Sequence, residues 1–166
     1  MSDADPVNTA VPGAQYAANE PVSRYSVDLT QEEVPNGPSH VFRDHVGKSD
    51  SELLDTLNKD RRNILGFKVG APSEGSFASR EAANDFVNRV LEGNRAKVDA
   101  VATGAADYSW LDKRFGFKTG REAYRPDIDT PAYLRDTYEV GVYIIHDPRS
   151  PRGYRVRTAY PRNASY

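Results

Sequence analysis

Two apolar runs near the C-terminus, Glu139–His146 and Tyr154–Pro161, flank the connection Asp147-Pro148-Arg149-Ser150-Pro151-Arg152-Gly153. Proline and glycine punctuate that connection and β-branched and aromatic residues fill the runs, so the pattern predicts an antiparallel hairpin. The hairpin commits the C-terminal part of the chain to an antiparallel sheet. Strand alternation then places Tyr154, Val156, Thr158 and Tyr160 on one face and turns Arg155 and Arg157 to the other. The shared face begins apolar and ends in two hydroxyls, a pattern that suits an edge strand as well as a site.

Helical signals lie upstream. Ser49-Asp50-Ser51-Glu52 forms a capping box, and Leu53, Leu54 and Leu57 give the short helix that follows one apolar stripe, ending before Arg61. From Ser79 to Ala102, Ala83, Phe86, Val87, Val90, Leu91, Asn94, Val98 and Val101 keep helical spacing, with Gly93 as a weak point or break. After Gly104 the pattern turns to strands, and Arg114–Gly120 reads as a short one ending in a turn. Helices first and antiparallel strands second predict an α+β domain, with N-terminal helices packed on a twisted antiparallel sheet.

At 166 residues the chain suffices for one cored domain. Residues 1–38, with Pro6, Pro12, Pro21, Pro35 and Pro38, read as a linker or disordered arm with a brief extended piece at Tyr25–Leu29; residues 39–166 form the domain. The absence of cysteine excludes disulfides, thiolate metal sites and a cysteine nucleophile. Neither a membrane-spanning apolar run nor a signal peptide is expected. Residues 1–60 carry four basic and eleven acidic side chains, and residues 61–166 carry eighteen and thirteen. From Pro148 onward there are five arginines and no carboxylate, a local basic region able to attract a polyanion or simply to solvate a surface.

Of the three histidines, His45 stands in Asp44-His45-Val46-Gly47-Lys48-Ser49, directly before the capped helix. Lys48 and the free amides of that helix start favour an anion such as phosphate. A base beside an anion site is what cleavage of RNA at its own 2′-hydroxyl requires, with hydrogen-bond donors to stabilise the phosphorane. A surface histidine capping a loop produces the same local pattern. His146 is expected exposed at a hairpin end, and His40 incidental at the domain boundary. Ten tyrosines would serve base stacking, or sheet packing more simply.

His45-Val46-Gly47-Lys48-Ser49-Asp50 with Glu52-Leu53-Leu54, and the closing Gly153–Pro161, together resemble the bacterial ribonuclease A-like toxin domain at the C-termini of contact-dependent growth-inhibition (CdiA) proteins. Phe77–Ala83, Asn94–Val98 and the strand before Asp147-Pro148 fall between them in the family's order, so the resemblance spans roughly residues 40 to 163. It implies a ribonuclease A-like α+β fold without disulfides, and a monomeric, cofactor-free toxin with no stable membrane association. The toxin would cleave RNA such as tRNA, without a metal, in the cytoplasm of a neighbouring bacterium, and a cognate immunity protein would block its site. Carried over by position, His45, Thr158 and Tyr160 are the catalytic residues; Lys48, from its place at the helix start, is the substrate-binding candidate. Thr56 stands where the family has an arginine, with Lys48, Arg61 or Arg62 as candidate substitutes and no second histidine as acid. That departure leaves open a weakened or inactive descendant that binds RNA or protein.

Overall fold

A computed structural model describes residues 23–35 and 37–164. Its elements are α1 (Leu29–Glu32), α2 (Val41–His45), α3 (Asp50–Lys59), β1 (Arg62–Ile64), β2 (Phe67–Val69), β3 (Ser73–Ser76), α4 (Arg80–Gly93), α5 (Arg95–Ala102), β4 (Tyr108–Arg114), β5 (Gly120–Tyr124), β6 (Tyr133–Thr137), β7 (Glu139–His146) and β8 (Tyr154–Arg162). The capping box of α3 forms in full: Glu52 N–H donates to Ser49 Oγ at 3.3 Å, and Ser49 N–H donates to the Glu52 carboxylate at 2.7 Å. Ser79 caps α4 by accepting from Ala82 N–H at 3.1 Å. The expected long helix is broken at Asn94, one residue beyond Gly93, where the Asn94 amide donates to the Val90 and Asp112 carbonyls and ties the joint to β4.

Two antiparallel three-stranded sheets, ordered β4-β7-β8 and β3-β5-β6, make up the body, and β1-β2 is a separate two-stranded ribbon. One face of the first sheet (Leu111, Val140, Val142, Ile144, Tyr154, Val156, Ala159) packs against the apolar stripes of α4 and α5, forming the main core. Leu53 and Leu57 of α3 cover Ala123 of the second sheet in a smaller cluster. The sheets meet where β3 and β5 cross the end of β8. A Cβ at Gly75 would lie 2.0 Å from the Pro161 carbonyl oxygen, and one at Gly120 would lie 2.7 Å from the Pro161 Cγ, so only glycine permits this approach.

Three expectations are corrected. Residues 1–22 of the expected N-terminal arm lie outside the described residues, but the stretch ending in α1 packs on the core. Val27 and Leu29 are buried, and their N–H groups donate to Asn88 at 2.8 Å and Asn84 at 2.9 Å. Glu32, also buried, pairs with Arg152 and accepts from Val156 N–H at 3.1 Å. Two apolar residues are too few to show a period, and the contacts that hold them come from far along the chain. Secondly, Arg114–Gly120 is not a strand: β4 ends at Arg114, a connection follows, and β5 begins at Gly120.

Thirdly, alternation along β8 is broken by a β-bulge. Ile144 pairs with Val156 and Tyr143 with Thr158, which leaves Arg157 unpaired. Tyr154 and Val156 face the core as expected, but beyond the bulge Ala159 and Pro161 take the buried positions. Thr158 and Tyr160 still share a face, and it is the one opposite the core, the face of Arg155.

Candidate active site

His45 is held by backbone pairing between the end of α2 and the end of β3. Phe77 N–H donates to the His45 carbonyl at 2.8 Å, and Gly47 N–H donates to the Phe77 carbonyl at 3.0 Å. Gly47 makes the intervening turn with φ +67°. His45 Nδ1 lies 3.0 Å from the Gly75 carbonyl. A carbonyl only accepts, so Nδ1 carries the proton and the imidazole lone pair sits on Nε2. Burial lowers the His45 pKa, which favours the neutral ring with its Nε2 lone pair free; the Gly75 hydrogen bond and Asp44 act the other way.

The Tyr160 ring packs against His45 with centroids 5.1 Å apart. Burial raises the Tyr160 pKa, so its hydroxyl stays a neutral donor. Thr158 lies on the same face two residues away, and its Oγ1 is buried without a hydrogen-bond partner. β8 and α2 are joined where His40 N–H donates to the Arg157 carbonyl at 3.1 Å, so the bulge ties the strand to the helix that ends in His45.

Glu74 is a neighbour of His45 that the sequence did not reveal. Its Oε1 lies 3.5 Å from His45 Nδ1. Burial, with Asp44 and Asp60 adding and Lys48 opposing, pushes its pKa up to about 7. A strand reading Ser-Glu-Gly-Ser has no apolar alternation to announce it, and no sequence signal places Glu74 beside His45. Lys48 has its N–H held by Ser76 Oγ at 3.0 Å, and its charge reaches both His45 and Glu74.

Thr56, at the position of the expected arginine, is exposed on α3. Of the candidate substitutes, Arg61 donates to the Thr130 carbonyl at 3.2 Å and Arg62 lies 4.0 Å from Asp60. Two other guanidinium groups share a cleft of about 150 Å³ with Tyr160: Arg135 and Arg162, with Tyr124, Ser73 and Asn163 also lining it. Arg162 pairs with Glu139 at 3.3 Å and Arg135 with Glu122 at 2.6 Å. His40 is less remote than expected, its ring 6.4 Å from His45. His146 is partly buried rather than exposed, with Nδ1 2.8 Å from the Val101 carbonyl at the end of α5. Arg155 binds Asp147 at 2.5 Å and, with Arg149, holds that carboxyl down to about 2.

Residues 39–161 match the family described as the bacterial CdiA-CT RNAse A domain. The fold is similar to a chain in the crystal structure of a CdiA-CT/CdiI complex from Y. kristensenii 33638. The two are 25% identical with a TM-score of 0.57, over 71% of this chain and 94% of that one. No curated protein matches the sequence.

Proposed function

The chain belongs to the bacterial CdiA-CT RNAse A domain family of toxin ribonucleases, and from that premise we propose that it cleaves RNA by attack of a 2′-hydroxyl on the adjacent phosphate, with His45 as the base. The observation that carries this reading is the His45–Tyr160 contact at 5.1 Å, with Nδ1 bound to Gly75. Nε2 accepts the 2′ proton, the 2′-oxygen attacks phosphorus and the P–O5′ bond breaks. The imidazolium so formed returns the proton to the departing 5′-oxygen. Tyr160 and Thr158 donate hydrogen bonds to the non-bridging oxygens; a buried Oγ1 without an internal partner suits that task. Lys48 and the Arg162–Arg135 cleft offset phosphate charge, in place of the guanidinium that Thr56 lacks. Glu74, beside Nδ1, is a positioning residue for the imidazole.

No step calls for a metal ion. The substrate class is RNA, with tRNA the first to test, met in the cytoplasm of a target bacterium after delivery. By analogy with the CdiA-CT/CdiI complex, a cognate immunity protein covers the site. Purified tRNA is incubated in chelator with wild type and His45→Ala. Loss of a proton-transfer group predicts a rate lower by about 10²–10⁴-fold, and equal rates would end the role of His45. Thr56 favours one second reading, a descendant that binds RNA without cleaving it; that reading requires an inert wild type whose RNA binding falls steeply with salt.

A further inference from the structure

The face of the β4-β7-β8 sheet that turns away from α4 and α5 carries the cross-strand rows Tyr108–Ile145–Arg155, Trp110–Tyr143–Thr158 and Asp112–Gly141–Tyr160. Trp110 lies across Gly141, where a Cβ would come 2.0 Å from its Cζ2, so the glycine lets the indole lie over β7. From there the indole reaches the Tyr160 ring, centroids 5.5 Å apart, and the Arg162 guanidinium lies 5.8 Å from its centroid. Tyr108 and Tyr143 continue the aromatic surface with centroids 5.8 Å apart. Tyr108 is 61% exposed, and Trp110 and Tyr143 are partly exposed. Burying aromatic rings in a core is the usual way to use them, and these three are left accessible.

We propose that Trp110, Tyr143 and Tyr108 are a stacking platform for unpaired bases of the RNA beside the cleaved phosphate. The inference rests on the reading of His45, Thr158 and Tyr160 as the cleavage site and is continuous with it. Tyr160 is both a site residue and the ring next to Trp110, and Thr158 occupies the same row as Tyr143. Every base has a π-face, so such a surface accepts single strands with little regard to sequence. Arg155 and Arg162 stand on the same face, where they can follow the backbone, although Asp147 and Glu139 pair with them. The occupant is single-stranded RNA, and the ribonuclease selects loops and tails over duplex.

Trp110 is the only tryptophan in the chain, so its emission reports this face directly. The probe is 2′-O-methyl hexaadenylate, which cannot be cleaved, titrated into the full chain carrying His45→Ala. Expected are saturable quenching of Trp110 and, with Tyr108→Ser and Tyr143→Ser together, affinity weaker by about tenfold per ring. Tyr108→Ser alone serves if the double variant fails to fold, because that residue is 61% exposed. Binding seen by anisotropy without quenching overturns the proposal, as does no binding. Equal quenching by an abasic hexamer overturns it too, and so does quenching by the purified immunity protein with none by the oligomer. Cleavage of tRNA by wild type is scored separately: cleavage without quenching removes the platform alone, and quenching without cleavage removes the catalytic reading alone.

Discussion

Replacing Glu74 with glutamine is expected to stabilise the protein in mild alkali and to leave it unchanged in acid. Burial, reinforced by Asp44 and Asp60, raises the Glu74 carboxyl from 4.5 to about 7 in the folded state. An unfolded chain holds it near the ordinary value, so between these limits the folded state keeps a proton that the unfolded state has released. Stability therefore falls as pH rises from about 4.5, and the loss is complete above about 7. At 1.36 kcal/mol per pKa unit, the gap corresponds to roughly 3 kcal/mol. Glutamine cannot ionise and escapes this loss. His45, with its lowered pKa, tilts the curve the opposite way, but wild type and variant share that tilt. Urea unfolding measures both proteins at about pH 4.5, 6 and 8. The curves should coincide at the lowest pH and separate by roughly 2–3 kcal/mol at the highest. A difference independent of pH, or a variant less stable near pH 8, would refute the account of Glu74 as a carboxyl forced towards neutrality.

Glu32→Ala leaves the buried guanidinium of Arg152 without its partner and should lower stability by about 3–5 kcal/mol, measured by thermal unfolding. Gly75→Ala places a Cβ 2.0 Å from the Pro161 oxygen. It should destabilise by about 1–3 kcal/mol and slow cleavage as well, because the Gly75 carbonyl orients His45. Tyr160→Phe keeps the ring against His45 and Trp110 and removes only the hydroxyl. Its melting temperature should match wild type while cleavage falls by about 10²-fold. A wild-type pH–rate profile should show an acid limb centred below the ordinary imidazole value of 6.5, because burial lowers the pKa of His45.

What could be read in the chain depended on whether its cause was local. α3 and α4 announce themselves through Ser49 and Ser79 caps and an apolar stripe, and the β7–β8 hairpin through its turn. β5, with the sequence Gly-Arg-Glu-Ala-Tyr, buries Gly120, Glu122 and Ala123, a pattern that no hydrophobic period describes. β3 is likewise built from small and polar residues, and Glu74 was invisible with it. The placement of His45 and Lys48 just before α3 was legible because they directly precede a capped helix in sequence. Thr158 and Tyr160 were correctly grouped but assigned to the wrong side, since a bulge is a pairing event and leaves no mark in the strand that contains it. The N-terminal piece Val27–Glu32 was misjudged for a related reason. Its anchors, Asn84, Asn88 and Arg152, lie more than fifty residues away.

The extra residue at Arg157 works as a half-period phase shift in β8. Upstream of it, even-numbered side chains enter the core; downstream, odd-numbered ones do. Pairing Arg157 opposite Tyr143, with no bulge, would keep a ladder of similar length and composition, yet it would exchange Thr158 and Tyr160 with Ala159 and Pro161. The hydroxyls would then point into the helices, and His45 would face an alanine and a proline. Where the two hydroxyls point thus depends on how one residue is paired as much as on which residues are present. Two relatives could share every side chain of the proposed site and still turn its hydroxyls to opposite faces through the presence or absence of one bulge.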